Sequence, residues 1–204
     1  MGFSLVQVNG TRSVSMTTCR LVVRTVDRSV TGYRWVESLE AYCFTAIVGI
    51  DVDEAIRRLG GDPSVGDRRT FDECFWAAAG PQWVQIGRVS GGVLLAEHNG
   101  WRAEEAVTEL STGARLACFV RDVNAVMRFI LADDGRVTAD FDPLVDRPPA
   151  SLGPATDGLP FGLFAAEPSA LTLLHRVTGV RITSAWLNRS RRAVSLPPLT
   201  ALVP

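Results

Sequence analysis

Apolar positions fall into short runs separated by turn residues, with no long stripe anywhere in the chain. Residues 42–50 (YCFTAIVGI) are rich in aromatic and β-branched side chains and are apolar on both faces, which predicts a central strand. Just before it, Trp35 and Leu39 are four apart, as in a short helix or turn over residues 33–40. Asp51 with Glu54 marks a helix N-terminus, followed by Val52, Ala55, Ile56 and Leu59 at helical spacing and stopped at Gly60-Gly61. Residues 62–69 read as a polar loop. Thr70 with Glu73 is a better capping box, opening a second helix that carries Phe71, Cys74, Phe75 and Ala78 and stops at Gly80-Pro81.

The strongest hairpin signal is residues 83–101, WVQIGRVSGGVLLAEHNGW. Taking Gly91-Gly92 as its turn sets Arg88 opposite Leu95 and Ile86 opposite Glu97, so that Arg88 and Glu97 become diagonal neighbours on one face. Asn99-Gly100 ends the second strand ahead of Trp101. Ala103, Ala106, Val107 and Leu110 mark the next helix, closed by Gly113, and residues 114–121 the next strand. Asp122-Val123-Asn124 reads as an Asx-type turn. Asp134-Gly135 is the preferred type I′ dipeptide of a second hairpin, with Asp133 opposite Arg136 and Phe129 opposite Asp140. Residues 142–158 form a long Pro-containing loop. A last long helix runs from Pro168 to Thr178 with Gly179 beyond, and Thr183 caps a short one.

Two hairpins force antiparallel pairs. The expected fold is therefore α+β, a single domain with a mainly antiparallel sheet of about five or six strands and helices on one face. Residues 33–188 form the globular part, 1–32 an N-terminal extension (17–26 suiting an edge strand), and 189–204 an Arg/Pro/Leu tail.

Composition narrows the function classes. The chain has 204 residues, 47% of them hydrophobic, enough for a sizeable core. No apolar run is long enough for a membrane span and no secretory signal is evident, so a cytoplasmic protein without membrane contact is expected. All 21 basic residues are Arg; without Lys, a lysine Schiff base is excluded. Net charge is +4 over residues 1–34, −8 over 35–188 and +3 over 189–204. The acidic body offers no basic run for a phosphate backbone, so no nucleic-acid partner is expected.

Cys19, Cys43, Cys74 and Cys118 contain no C-x-x-C pair, and only His98 and His175 could add soft ligands, so no metal site is expected. G-x-S-x-G, P-loop, G-x-G-x-x-G and H-E-x-x-H motifs are all missing, and no cofactor is implied.

Trp35, Tyr42-Cys43-Phe44-Thr45, Arg58-Leu59-Gly60, Ile86-Gly87-Arg88, Glu97-His98-Asn99-Gly100-Trp101, Val120-Arg121-Asp122-Val123-Asn124-Ala125, residues 129–135 and Thr178-Gly179-Val180-Arg181-Ile182-Thr183 form a pattern over about residues 35–188. It resembles an uncharacterised family of high-GC actinobacteria known as a domain of unknown function. The resemblance implies a shared fold and carries no activity.

Candidate chemistry then rests on local polar knots. Glu97 paired to Arg88 is the first: a carboxylate beside an indole can act as acid/base while Arg88 or Arg121 steadies negative charge. Trp101, Trp83, Asn99, Arg121 and Asn124 are the candidate ligand contacts, with Arg121 able to fork a ligand carboxylate or phosphate. One reading is a small protein with an apolar, Trp-lined pocket for an organic molecule, suited to cofactor-independent cyclisation or isomerisation in specialised metabolism. The alternative is a non-catalytic protein-interaction module of an immunity-like, defence-associated or regulatory kind. A homodimer is compatible with either.

Overall fold

The computed structural model describes residues 28–77 and 82–197. Its centre is β1 (Tyr42–Val48), flanked on both sides by antiparallel neighbours. The other strands are β2 (Asp67–Arg69), β3 (Gln82–Val89), β4 (Gly92–His98), β5 (Arg115–Arg121), β6 (Met127–Asp133), β7 (Arg136–Phe141) and β8 (Arg191–Leu196). They form one eight-stranded sheet in the order β2-β8-β3-β4-β1-β5-β6-β7, antiparallel at every junction. The α+β reading holds, but the sheet is larger than the expected five or six strands. The two extra strands are β2, hidden in a polar run, and β8, hidden in the segment read as a tail.

Helices α1 (Arg28–Thr31), α2 (Val52–Arg58), α3 (Phe71–Trp76), α4 (Arg102–Glu105), α5 (Val107–Ser111), α6 (Ala166–Thr178) and α7 (Ser184–Leu187) complete the domain. They cover both faces of the sheet, not one. On one side Phe44, Leu94, Phe119 and Phe129 pack under Leu171 and Leu174 of α6 and under Trp186. On the other, Ile47, Ile86, Leu95 and Cys118 pack under Ile56 of α2 and Leu110 of α5. The alternation of β1 explains this: a strand with apolar side chains on both faces needs a cover on each.

Local signals are realised closely. The Asp51 carboxylate accepts Glu54 N–H at 2.8 Å, and the Thr70/Glu73 capping box is closed in both directions. Gly179 ends α6 with φ +73°. The two hairpins depart from expectation in register. The first turn is Ser90-Gly91, so Val89 pairs with Gly92, Arg88 with Val93 and Ile86 with Leu95. Gly92 is the first residue of β4, and any Cβ there would collide with the Ile47 carbonyl of β1, so the position requires glycine. The second hairpin turns at Asp134-Gly135 and pairs Asp133 with Arg136 as expected. A bulge opposite Leu131/Ala132 then shifts the pairing, putting Phe129 opposite Phe141 and Asp140 opposite Ile130.

Residues 28–32 of the expected extension contribute α1, with Val30 buried; the strand expected over residues 17–26 lies outside the described residues. Residues 191–196, expected in a tail, are instead β8, paired to β2 and β3. No helix among the described residues is long and apolar enough to cross a membrane.

Candidate functional site

Arg88 and Glu97 share a face but do not meet. The register places Glu97 four residues along β4 from the partner of Arg88, about 13 Å at the usual rise of a strand. Arg88 is exposed near the turn, whereas Glu97 is 1% exposed. Its two oxygens are occupied: Oε1 accepts Ala103 N–H at 2.9 Å, and Oε2 accepts Arg102 N–H at 2.7 Å together with the Gln82 amide. The side chain therefore clamps the first turn of α4 to the end of β4. Burial pushes its pKa up to about 7, against the lowering pull of those N–H groups.

Beside Glu97, on the same face, the Cys43 and Cys118 Sγ atoms lie 3.4 Å apart, and Thr45 Oγ1 lies 3.2 Å from Cys118. Both thiols are fully buried and free, and burial raises the Cys43 pKa well above the thiol range. A thiol held neutral is a poor nucleophile.

Arg121 is spent on its own chain. It pairs with Glu167 at 2.7 Å and donates to the Leu39 carbonyl at 3.0 Å and to the Glu40 carbonyl. Burial raises the Glu167 pKa, and Arg121 pulls it back. Asn124 serves the expected turn: its N–H and that of Val126 donate to Asp122 Oδ1. Trp83 carries the Arg69 guanidinium 4.1 Å from its ring centroid.

The accessible features converge elsewhere, on the end of the sheet where β1 and β6 begin and β4 and β5 end. A cleft of about 530 Å³ is lined there by Glu40, Asp72, Phe75, Trp76, His98, Asn99 and Val123. A second, of about 270 Å³, is lined by Trp101, Glu104, Val120, Val126 and Met127 beside Arg128. The Asp122–Val126 turn separates them. Trp76 is 80% exposed, Val123 63%, Val126 59% and Trp101 41%, so large apolar surface faces water across both clefts. Two of the three non-glycine residues with left-handed backbone among the described residues, Asn99 and Ala125, sit at this same end.

The larger cleft is electronegative. Asp72 lies 3.7 Å from His98 Nδ1. Burial lowers the His98 pKa, so the imidazole is neutral at pH 7 and leaves that carboxylate uncompensated. His98 is held by stacking on Phe71 at 4.6 Å and by a tilted contact with Phe75 at 4.5 Å.

The structure thus brings Asn99 and Trp101 to one end of the sheet, on neighbouring clefts, and leaves Arg88 at the opposite end and Trp83, at the start of β3, outside both clefts. Sequence reasoning missed Trp76, Asp72 and Val123 as surface groups. The signal available was Trp76 following Phe75 on α3, one of two adjacent aromatics that cannot both face the core of a single helix. The five Trp side chains do not share a pocket wall: Trp76 and Trp101 line separate clefts, Trp186 is core, Trp35 stands 6.2 Å from Phe44 and Trp83 carries Arg69.

Among known proteins, a family of unknown function matches residues 27–163, which takes in the whole strand-end surface and stops before α6. No curated protein and no solved structure matches the chain.

Proposed function

Because the chain belongs to DUF6461, a family of unknown function, its role has to be read from its own surface, and we propose that it is a binding module that docks a partner protein at the strand end. The observation that carries this reading is the exposure of Trp76, Val123, Val126 and Trp101 across adjoining clefts. Routes to association through the sheet itself are blunted. Helices cover both sheet faces, β2 is three residues long, and β7 is an edge strand bulged and studded with Arg136 and Asp140.

Charge selects the partner. Glu40 and Asp72 line the cleft beside Trp76, so the surface suits a partner that inserts an Arg or Lys side chain between a carboxylate and an indole face. Glu97 favours this reading over acid/base chemistry, since its oxygens already hold α4 and its side chain is closed off from the clefts at the strand end.

A photo-crosslinking residue at Val123, introduced in the native host, is expected to give a discrete adduct with one other protein. The adduct should fade when Asp72→Arg is added. The same residue at Val137, exposed near the opposite end of the sheet, should give none. Equal adducts at both positions, or an adduct indifferent to Asp72→Arg, would contradict the proposal.

A further inference from the structure

The two clefts at the strand end differ in chemistry and share one rim, the turn that opens at Asp122. Ala125 N–H donates to the Asp122 carbonyl at 3.1 Å, and Asp122 N–H donates to the Val126 carbonyl at 3.0 Å. The Asp122 carboxylate accepts the Asn124 and Val126 N–H groups at 2.8 and 2.9 Å. The rim is therefore fixed by its own hydrogen bonds. Val123, 63% exposed, lines the larger cleft, and Val126, 59% exposed, lines the smaller.

The larger cleft offers charge. Glu40 and Asp72 line it, and among the described residues no arginine pairs with either carboxylate. Trp76 stands in the same wall, so a cation entering there meets both a carboxylate and a ring face. The smaller cleft has no polar group to spare. Arg128 bridges Glu104 and Asp140 at 2.7 Å each, and Asp122 is spent on the turn. Its open wall is apolar, made of Trp101, Val120, Val126 and Met127. At about 270 Å³ it falls short of the roughly 300–1,000 Å³ typical of small-molecule pockets, and it suits a single large side chain.

The width of the rim sets a spacing. The first and last Cα atoms of a β-turn lie within about 7 Å of each other. An extended chain advances about 3.3 Å per residue, so side chains about two to four positions apart reach from one cleft into the other. Carboxylates outnumber guanidinium groups on both sides of the turn, which disfavours an acidic segment in either cleft.

We infer that the strand end recognises a short extended segment of its partner, laid across the Asp122–Val126 turn with an Arg or Lys in the cleft of Asp72 and an aromatic or large aliphatic side chain in the cleft of Trp101. This mode of recognition rests on the docking role proposed for the strand end and adds to it a second anchor and a spacing. The charged anchor excludes acidic competitors, and the apolar anchor separates the true segment from any other basic stretch.

A random dodecapeptide library displayed on phage and selected on the immobilised full chain tests this. Enriched peptides should share a basic residue and an aromatic or large aliphatic residue about two to four positions apart. Titrated by fluorescence anisotropy, they should bind at least tenfold more weakly to Asp72→Arg and to Trp101→Ala, and unchanged to Arg88→Gln. Val126→Gln, at an exposed position that keeps the fold, should block the smaller cleft and weaken them likewise. Truncating the peptide's apolar anchor to Ala should cost affinity for the parent but not for Val126→Gln, whereas truncating its basic residue should cost affinity for both. Enriched peptides that carry a basic residue alone and bind Val126→Gln and Trp101→Ala undiminished would overturn the second anchor and leave the docking surface in place. Failure to enrich any peptide would overturn the short segment, and a discrete crosslink at Val123 would then leave a folded partner in its place. Peptides indifferent to every one of these variants would overturn the segment and the docking surface together.

Discussion

The carboxylate of Glu97 at the end of β4 accepts the backbone N–H of Ala103 at 2.9 Å, tying the strand to α4 across the Asn99-Gly100-Trp101 turn. This bond sets where Trp101 emerges. It also gives a buried carboxyl a pH-dependent share in stability.

The Glu97 pKa of about 7 in the fold stands above its ordinary value of 4.5. The folded state therefore holds a proton that the unfolded chain releases between those values. The contribution of Glu97 is fully present below about pH 4.5 and is lost as pH rises through about 7. Glu97→Gln removes the titration. Its stability relative to the parent should shift in favour of the variant between pH 5 and pH 8, by on the order of 1–3 kcal/mol. Gln also supplies one acceptor oxygen where Glu97 meets two backbone N–H groups and the Gln82 amide, so the variant should start less stable at pH 5. Shifts shared by both proteins, such as the lowered Asp140 pKa beside Arg128, cancel in the comparison. Urea melts of the two proteins at several pH values measure this, and parallel stability curves would contradict it.

Arg121 and Glu167 form a second tie, between β5 and the start of α6. Arg121→Ala strands a desolvated carboxylate and two backbone carbonyls. Breaking a buried pair costs about 3–5 kcal/mol, and the partial exposure of Arg121 places this one near the lower figure. Glu167→Gln in the Arg121→Ala background should recover part of the loss. A double-mutant cycle in urea gives the coupling, and strictly additive effects would show that the pair contributes nothing.

Gly92 tests the revised hairpin register. An added methyl meets the Ile47 carbonyl oxygen of the neighbouring strand, which is backbone and cannot turn aside. Gly92→Ala should cost about 1–3 kcal/mol through overpacking. Ser90→Ala, at the exposed first turn position, should cost little. Equal urea midpoints for the two variants would place the turn at Gly91-Gly92 after all.

What the sequence disclosed follows the range of the interactions involved. Thr70 with Glu73, Asp51 with Glu54, and Asp134-Gly135 are each decided within four residues, and each appears in the fold as read. Pairings decided by distant backbone were not legible. The turn falls one residue earlier than read, which moves Arg88 away from Glu97, and the shift between Phe129 and Asp140 comes from a bulge. β2 and β8 carry five arginines between and beside them, a composition that reads as solvated loop until pairing brings 68 and 192 together. The same limit applies to the site: Asn99 and Trp101 were visible as a turn beside an indole, whereas Trp76 and Asp72 reach that surface only through the packing of α3 on β4.

The most direct test of a docking role uses the protein recovered by crosslinking at Val123, purified and titrated against three versions of this chain. Asp72→Arg and Trp76→Ala should each weaken its binding at least tenfold, and Arg88→Gln, at the turn end of β3, should leave it within twofold. Undiminished affinity for Asp72→Arg and Trp76→Ala, with circular dichroism showing both folded, would contradict the account.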